Sequence, residues 1–270
     1  MPKPVRITVP DILARKGKDK LACLTAYTTP MAQLLDEQCD ILLVGDSVGM
    51  VLHGLPTPVG VTLDMMIMHG RAVMRGSSRA LVAVDLPFGS YERNADQALK
   101  SAALVLRKTG CQAVKIEICD GAAETISFMT ARGVPVIAHI GLRPQAANID
   151  GGFKAKGKSD GDRRRILADA KAVDDAGSFA IVIEGVASDL ADEITTAVRA
   201  PTIGIGASAS CDGQILVVDD MLGMFERTPR FVRRYGDMRS IIERARDCYV
   251  RDVRSGDFPG PSEIYGKTKK

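Results

Sequence analysis

Ionisable side chains stand at the ends of short apolar runs in this chain, and their types suggest metal and proton chemistry. Five of six such runs end in an acidic or basic residue, and the sixth ends in glycines. The runs cover residues 41–46, 81–85, 113–117, 134–139, 180–184 and 201–206. Runs of four to six β-favouring apolar residues are typical of buried strands. Active sites of parallel α/β barrels lie at the carboxyl ends of the strands, so the pattern predicts the rim of one active site.

Asp46 and Asp85 end two consecutive runs. Carboxylates on neighbouring strands can converge on Mg²⁺, which takes one or two carboxylates together with water and substrate oxygens. Asp46 and Ser47 could instead cap a helix that begins just after them. Spacing alone leaves both interpretations open. Gly45 and Gly49 allow a ligand to approach the backbone closely, which favours binding.

Lys115 and Glu117 are two residues apart on one run, so their side chains should share the inner face of a strand. Charges that face an apolar interior are costly unless they are paired or used. Lys115 could hold a substrate carboxylate, and Glu117 could bind the metal or its waters. A purely structural ion pair between the two is the alternative.

His139 and Glu184 end two later runs. Apolar surroundings favour a raised carboxyl pKa, which would suit Glu184 as a general base; an ion pair at the other end of the barrel is the alternative. His139 is either a site residue or a satisfied polar residue. It is followed by the glycine-rich segment 141–161, whose length is typical of a lid or binding loop, or else of a mobile surface loop.

Strands and helices must alternate to bring these side chains together. The first strand is predicted at 21–27, the six runs supply six more, and the weakest candidate, at 230–235, would be the eighth. Helices are predicted at 31–38, 63–76, 95–109, 122–132, 162–176, 188–198 and 238–254. Repeated strand–helix units predict a parallel sheet with right-handed crossovers. We therefore expect one (β/α)₈ barrel domain over residues 1–270.

Composition fits a single cytoplasmic domain that binds neither nucleic acid nor membrane. Of the 270 residues, 46% are apolar, and the net charge is only +3. The N-terminus has no signal-like apolar segment, and no run approaches the length of a membrane span. The six cysteines form no C-x-x-C pair, which predicts reduced thiols. The basic end, 267–270, is expected to be a solvated terminus.

From the residues alone, we predict a metal-assisted barrel enzyme that acts on a small 2-oxo acid. A bound divalent ion would acidify the neighbouring C–H, and a carboxylate base would remove the proton. The expected reaction class is aldol-type formation or cleavage of a carbon–carbon bond.

Motifs along nearly the whole chain resemble those of the ketopantoate hydroxymethyltransferase family. The matching segments are 24–27, 43–50, 85–88, 114–117, 139–145, 151–154, 204–207, 212–216 and 255–260. Each is weak alone, but their order is specific. The resemblance implies a (β/α)₈ TIM barrel of the phosphoenolpyruvate mutase/isocitrate lyase-like superfamily. It also implies transfer of a hydroxymethyl group from methylene-tetrahydrofolate to 3-methyl-2-oxobutanoate, giving 2-dehydropantoate for pantothenate synthesis.

The resemblance further implies roles for individual residues and an assembly. Mg²⁺ would be bound by Asp46, Asp85 and Glu117. Substrate would be contacted by Asp46, Ser47, Asp85 and Lys115, with His139 close by. Glu184 would be the proton acceptor, and the protein would form a homodecamer. Two rival interpretations are a folate-independent Mg²⁺ lyase or mutase of the same superfamily and a non-catalytic barrel.

Overall fold

The fold is a closed barrel of eight parallel strands, seen in a computed structural model that describes residues 5–266. The strands follow chain order around the ring, and the first pairs with the last. They are β1 Leu21–Thr25, β2 Ile41–Val44, β3 Leu81–Asp85, β4 Ala113–Glu117, β5 Val136–Gly141, β6 Ala180–Glu184, β7 Thr202–Ile205 and β8 Gly213–Leu216. This confirms the predicted (β/α)₈ class. The basic tail at 267–270 lies outside the described residues.

The lower layers of the barrel interior are apolar. Alternate residues of each strand face inward and pack into one buried cluster. Its strand members include Cys23, Ile41, Leu43, Leu81, Ala83, Ala113, Ile137, Ala180, Val182, Ile203 and Ile215. Ile12 of the first helix joins the cluster at 1% exposure. Every second residue of a strand faces the same side. The ionisable residues at the carboxyl ends of β3 to β6 therefore face inward, like the apolar residues below them.

Helices connect the strands, as the alternation predicted. Within residues 5–266 they are α1 Val9–Leu13, α2 Thr29–Leu35, α3 Val48–Val51, α4 Leu63–Gly76, α5 Ala95–Thr109, α6 Ala122–Thr130, α7 Ala147–Asp150, α8 Asp160–Asp175, α9 Ser188–Ala197, α10 Val218–Met221 and α11 Met238–Ser255. Local chemistry sets their ends. Asn94 accepts a hydrogen bond from the backbone N–H of Gln97 at the start of α5, and Gly110, with φ of 79°, ends it.

The predicted eighth strand at 230–235 is wrong. That segment contains a turn and otherwise no regular structure. The barrel is closed instead by β8, which pairs with β1 and β7. Gly213 begins β8 at a close crossing, where an added Cβ would lie 2.6 Å from the Leu21 Cβ. A strand of four residues that starts with such a glycine shows too short an apolar run to be recognised.

The chain divides into two compact units, with the boundary after Val218. The first contains the barrel. The second contains α11, which has no buried residue and exposes Ile241, Ile242, Tyr249 and Val253. The single-domain assignment over 1–270 stays a prediction. Among the described residues, no helix has both the length and the apolar character needed to cross a bilayer.

Candidate active site

Strands β3 to β6 bring the predicted ionisable side chains to one end of the barrel. Asp85 of β3 is in register with Lys115 of β4, and Glu117 of β4 is in register with His139 of β5. Glu184 ends β6, with its Oε2 3.2 Å from His139 Nε2. These residues therefore form one continuous polar layer above the apolar interior.

Asp46 extends this layer from the end of β2. Its backbone N–H donates to Asp85 Oδ2 at 3.0 Å, and both side chains are buried. The capping alternative does not describe the local structure, because Ser47 is the N-cap of α3 and its side chain makes no capping hydrogen bond. The Ser47 hydroxyl instead lies 2.8 Å from the hydroxyl of Tyr27.

Lys115 forms a buried ion pair with Asp85, not with Glu117. Its Nζ is 2.7 Å from Asp85 Oδ1. Burial raises the pKa of Asp85 to about 7, although the Lys115 charge opposes this shift and Asp46 reinforces it. Burial lowers the pKa of Lys115, but the charges of Asp85, Asp46 and Glu117 outweigh burial, so this pKa is raised. Lys115 is therefore a permanent cation within the acidic layer.

Glu117 is almost fully buried, at 3% exposure. Burial and then the charge of Asp46 raise its pKa well above the ordinary value, while Lys115 opposes the shift. Among residues 5–266, no group donates a hydrogen bond to its Oε1. A buried carboxylate oxygen without a donor is costly unless a cation or ligand satisfies it.

His139 lies between a cation and a carboxylate. Lys115 Nζ is within 3.3 Å of His139 Nδ1, and because an ammonium only donates, Nδ1 must accept. The ring proton is then on Nε2, facing Glu184 Oε2. Burial, followed by the Lys115 charge, lowers the pKa of His139, whereas Glu184 opposes the shift. His139 is thus neutral, and its Nε2 lies 3.2 Å from Glu184 Oε2 but outside hydrogen-bond geometry. The Glu184 side chain is 17% exposed.

The other two histidines make structural contacts. His69 is buried, and its Nδ1 lies 2.8 Å from the backbone oxygen of Tyr27. Its Nε2 lies 2.9 Å from Nε2 of the exposed His53. These contacts agree with the structural role expected for His69.

Two uncharged residues in the site are not identified by the sequence argument: Tyr91 and Gln145. Both are buried, at 3% and 5% exposure. Tyr91 lies in the loop after β3, and Gln145 follows β5 by four residues. Gln145 is within a motif that supports the family resemblance. Neither residue is charged or part of a periodic pattern, so neither is assigned a role from the sequence.

Segment 141–161 is partly ordered by local structure. It contains a 3₁₀ turn, Pro144–Ala146, and then α7, and Gly151 ends α7 with φ of 66°. Lys156 forms a β-bridge with Val186, and its Nζ pairs with Asp150 Oδ2 at 2.9 Å. The segment is anchored next to the end of β6, and its predicted role as a lid stays a prediction.

The acidic layer suits an oxygen-seeking divalent ion. Within residues 5–266, no group of three or more His, Cys, Asp or Glu side chains is placed so that it could hold a metal ion by itself. Mg²⁺ does not require such a group, because one or two carboxylates usually hold it with water and substrate oxygens. The unsatisfied Glu117 Oε1 and the mutual charge of Asp46, Asp85 and Glu117 fit that ion.

Solved structures share this fold. Phosphonopyruvate hydrolase superposes with a TM-score of 0.62 at 14% identity, covering 96% of this chain and 92% of that chain. A 2,3-dimethylmalate lyase, described as a PEP mutase/isocitrate lyase superfamily member, gives a TM-score of 0.59 at 14% identity over 97% and 91% of the two chains. The chain therefore has the barrel fold of that superfamily, as predicted.

Sequence comparison then gives the family. Residues 6–261 match ketopantoate hydroxymethyltransferase. Proteins named 3-methyl-2-oxobutanoate hydroxymethyltransferase are 64% identical in Phenylobacterium zucineum (strain HLK1) and 62% in Maricaulis maris (strain MCS10). Each match spans 96% of this chain, and 94% and 93% of the relatives respectively. The chain belongs to the ketopantoate hydroxymethyltransferase family and is a transferase, which confirms the predicted membership.

Proposed function

We propose that this enzyme transfers a hydroxymethyl group from methylene-tetrahydrofolate to 3-methyl-2-oxobutanoate, giving 2-dehydropantoate for pantothenate biosynthesis. One water supplies the hydroxyl oxygen, and tetrahydrofolate is released. Family membership and the names of the relatives support the reaction. The observation that carries the proposal is the pair formed by a neutral His139 and Glu184 beside the Lys115–Asp85 ion pair. This arrangement combines a proton acceptor with a fixed cation for an acidic substrate.

Asp46, Asp85 and Glu117 would hold Mg²⁺ in this reaction. The ion would supply Lewis-acid polarisation of the keto group, which acidifies the neighbouring C3–H. The support is the donor chemistry: buried carboxylates, one of which has an oxygen without a hydrogen-bond donor.

The substrate would be bound by the polar layer around this ion. The Lys115 ammonium and the Ser47 hydroxyl would orient the substrate carboxylate, with Asp46 and Asp85 contacting the bound 2-oxo acid. Lys115 keeps its charge because its pKa is raised, so it remains a carboxylate partner at neutral pH.

Glu184 would act as the base. Its carboxylate takes the C3 proton, and the electron pair of that bond moves into the substrate enolate. C3 then forms a bond to the methylene carbon that the folate provides. That carbon exchanges its two bonds to folate nitrogens for this bond and for a bond to the hydroxyl of water, and the nitrogens take up the C3 proton and the remaining water proton. His139 Nε2 lies 3.2 Å from Glu184 Oε2 without hydrogen-bond geometry. A change in side-chain orientation on substrate binding would let it donate to Glu184 and orient it.

The enzyme would act in the cytoplasm as a homodecamer, with no nucleic acid or membrane as a partner. The exposed apolar residues of α11 support self-association, because such side chains are usually covered by a partner. The small net charge of +3 gives no basis for a nucleic-acid partner.

Proton NMR in D₂O tests this function. The purified enzyme would be mixed with Mg²⁺, 3-methyl-2-oxobutanoate and methylene-tetrahydrofolate. We expect the C3 proton signal to disappear and a hydroxymethyl signal to grow, both only without EDTA. Loss of the C3 signal without product would contradict the folate donor and leave the enolising site. If the protein shows no exchange and forms no product, that result would contradict the proposed reaction and favour a different substrate.

A further inference from the structure

We propose that Gln145 is a positioning residue that holds the carboxylates of Asp46 and Glu117 in their metal-binding arrangement, with Tyr91 fixing its amide. This inference rests on the proposed Mg²⁺-dependent function. It assigns to an uncharged loop residue the task of ordering two acids that lie 99 and 28 residues away in sequence.

The side-chain amide of Gln145 has both of its donors engaged. Nε2 donates to Asp46 Oδ2 at 2.8 Å and to the backbone oxygen of Leu86 at 3.0 Å. The Leu86 carbonyl can only accept, so the amide nitrogen must face it and the amide has one acceptable orientation. One side chain therefore ties the loop after β5 to the ends of β2 and β3.

Tyr91 fixes the other end of the amide. Its hydroxyl donates to Gln145 Oε1 at 2.7 Å. The same hydroxyl accepts the backbone N–H of Glu117 at 3.2 Å. The Glu117 backbone oxygen lies 3.4 Å from the same hydroxyl, farther than Gln145 Oε1. The shorter contact favours a chain from Glu117 N–H to Tyr91 and from Tyr91 O–H to Gln145.

The backbone of Gln145 reaches the second acid. Its N–H donates to Glu117 Oε2 at 3.1 Å, which leaves Oε1 without a hydrogen-bond donor among the described residues. In both acids, then, Gln145 occupies one oxygen: Oδ2 of Asp46 and Oε2 of Glu117. This orients each carboxylate plane and leaves Glu117 Oε1 available for a cation.

The chemistry explains why an uncharged donor is suited to this position. Asp46 and Glu117 already repel each other in a buried setting. A lysine or arginine would neutralise the acids and compete with a metal ion, and a glutamate would place a third acceptor against Asp46 and the Leu86 carbonyl. A glutamine donates two hydrogen bonds without adding charge, so the layer stays acidic and ordered.

The test uses Gln145→Met, which keeps the length and the backbone N–H but removes the amide, and Tyr91→Phe, which removes only the hydroxyl. Mn²⁺ is the probe, and free Mn²⁺ is measured by electron paramagnetic resonance on the full-length protein without substrate. We expect the Kd for Mn²⁺ to rise tenfold to a hundredfold in Gln145→Met, as is typical when the support of metal ligands is lost. Tyr91→Phe should also raise the Kd for Mn²⁺, but by a smaller factor than Gln145→Met does. The two changes should be non-additive when combined, because they act through one hydrogen-bond chain.

Gln112→Met is the matched control. Gln112 accepts from the Val82 backbone N–H at 3.0 Å and donates to the Gly110 backbone oxygen at 3.0 Å, at the amino ends of β3 and β4. Its loss should lower thermal stability and leave the Mn²⁺ Kd unchanged. With Mg²⁺ raised to saturation, Gln145→Met should recover much of its turnover, whereas a generally misfolded site would not.

The outcomes separate the two proposals. An unchanged Mn²⁺ Kd in both Gln145→Met and Tyr91→Phe would overturn the positioning role, even if wild type makes product. Weaker Mn²⁺ binding in these variants, together with a wild type that makes no product, would support the positioning role and overturn the reaction. A wild type that binds no Mn²⁺ would overturn both the metal assignment and the role of Gln145.

Discussion

At the scale of single residues, the charged side chains on either side of His139 determine the protonation state of its ring. Lys115 lies on its Nδ1 side and Glu184 on its Nε2 side. The cation fixes the tautomer. Burial, followed by the Lys115 charge, lowers the pKa of His139, so the imidazole stays neutral. Glu184 consequently faces a dipole and not a full positive charge.

Glu184→Gln is expected to abolish turnover while it preserves binding. A general base contributes about 10²- to 10⁴-fold to rate, so kcat and C3–H exchange in D₂O should fall by that factor. Dissociation constants for Mn²⁺ and for 3-methyl-2-oxobutanoate should stay within about twofold, because the proposed ligands are unchanged.

Glu193→Gln is the control for that prediction. It makes the same substitution on α9 at a side chain that is 51% exposed. Near-normal exchange in Glu184→Gln, or an equal loss in Glu193→Gln, would contradict the assignment of the base.

Glu117→Gln is expected to stabilise the metal-free protein at alkaline pH. Burial raises the folded-state pKa of Glu117, so the folded protein binds a proton more tightly than the unfolded chain does. That stability is fully present below the unfolded pKa and is lost as pH rises through the folded pKa. Each unit of upward shift corresponds to about 1.4 kcal/mol, which glutamine would not lose because it does not ionise.

The measurement is the free energy of unfolding in EDTA at pH 5 and pH 8. The stability advantage of Glu117→Gln over wild type should be larger at pH 8, and stabilisation by added Mg²⁺ should disappear in the variant. An advantage that does not grow between pH 5 and pH 8 would show that burial does not penalise this carboxylate.

The charged members of the site could be predicted from the sequence, but their pairing could not. Asp85, Lys115 and Glu184 are recognisable because each ionisable group ends an apolar run. Whether Lys115 pairs with Glu117 or with Asp85 depends on the register between strands, which no local pattern contains. Gln145 and Tyr91 act through single hydrogen bonds across loops, so neither composition nor period indicates them.

At the scale of elements, the end of β5 controls the position of Glu184. Gly141 ends the strand with φ of 92° and is in register with Glu184. An added Cβ would lie 2.4 Å from the Glu184 backbone oxygen and 2.5 Å from Val186 Cγ2. The close approach of Gly141 to the end of β6 therefore requires a residue that adopts the left-handed conformation and has no side chain, which is glycine.

Gly141→Ala should therefore destabilise the protein and displace the base. We expect at least about 1–3 kcal/mol from backbone strain alone, together with a large loss of C3–H exchange. Gly161→Ala is the matched control: Gly161 lies in α8, and its added Cβ would meet nothing within 4 Å. That variant should not lose stability, since the added Cβ meets no neighbour and Gly161 does not have a positive φ. Denaturant unfolding gives the free energy of unfolding of both variants. Equal changes in the two variants would contradict the requirement for glycine at position 141.

Elements were predictable where their own residues carry the signal. The helices α4 and α5 occupy the residues predicted for them, 63–76 and 95–109. The strand β8 was missed because its own sequence has little apolar content. It forms because the barrel can close only with a strand at that position. Its only fully inward apolar residue is Ile215, and tertiary pairing with β1 supplies what its own sequence does not.

At the scale of the whole molecule, the proposed decamer predicts a mass of about 289 kDa, ten times the 28.9 kDa of one chain. Ile241 is 50% exposed on the apolar side of α11, so Ile241→Glu should shift the distribution toward smaller species. Arg254→Gln lowers the net charge by the same one unit on the opposite side of α11, and it should leave the distribution of species unchanged. Native mass spectrometry checks both. A single-chain mass for wild type would contradict the assembly.

Ring closure has a consequence for the synthesis of this protein. Leu21 of β1 pairs with Gly213 of β8, so the first strand gains its second neighbour only after most of the 270 residues have been made. At usual elongation rates, β1 waits roughly 10–40 s for this partner. During that time one edge of a growing parallel sheet is open to other nascent chains. Newly made protein should therefore depend on chaperones until residue 216 has left the ribosome.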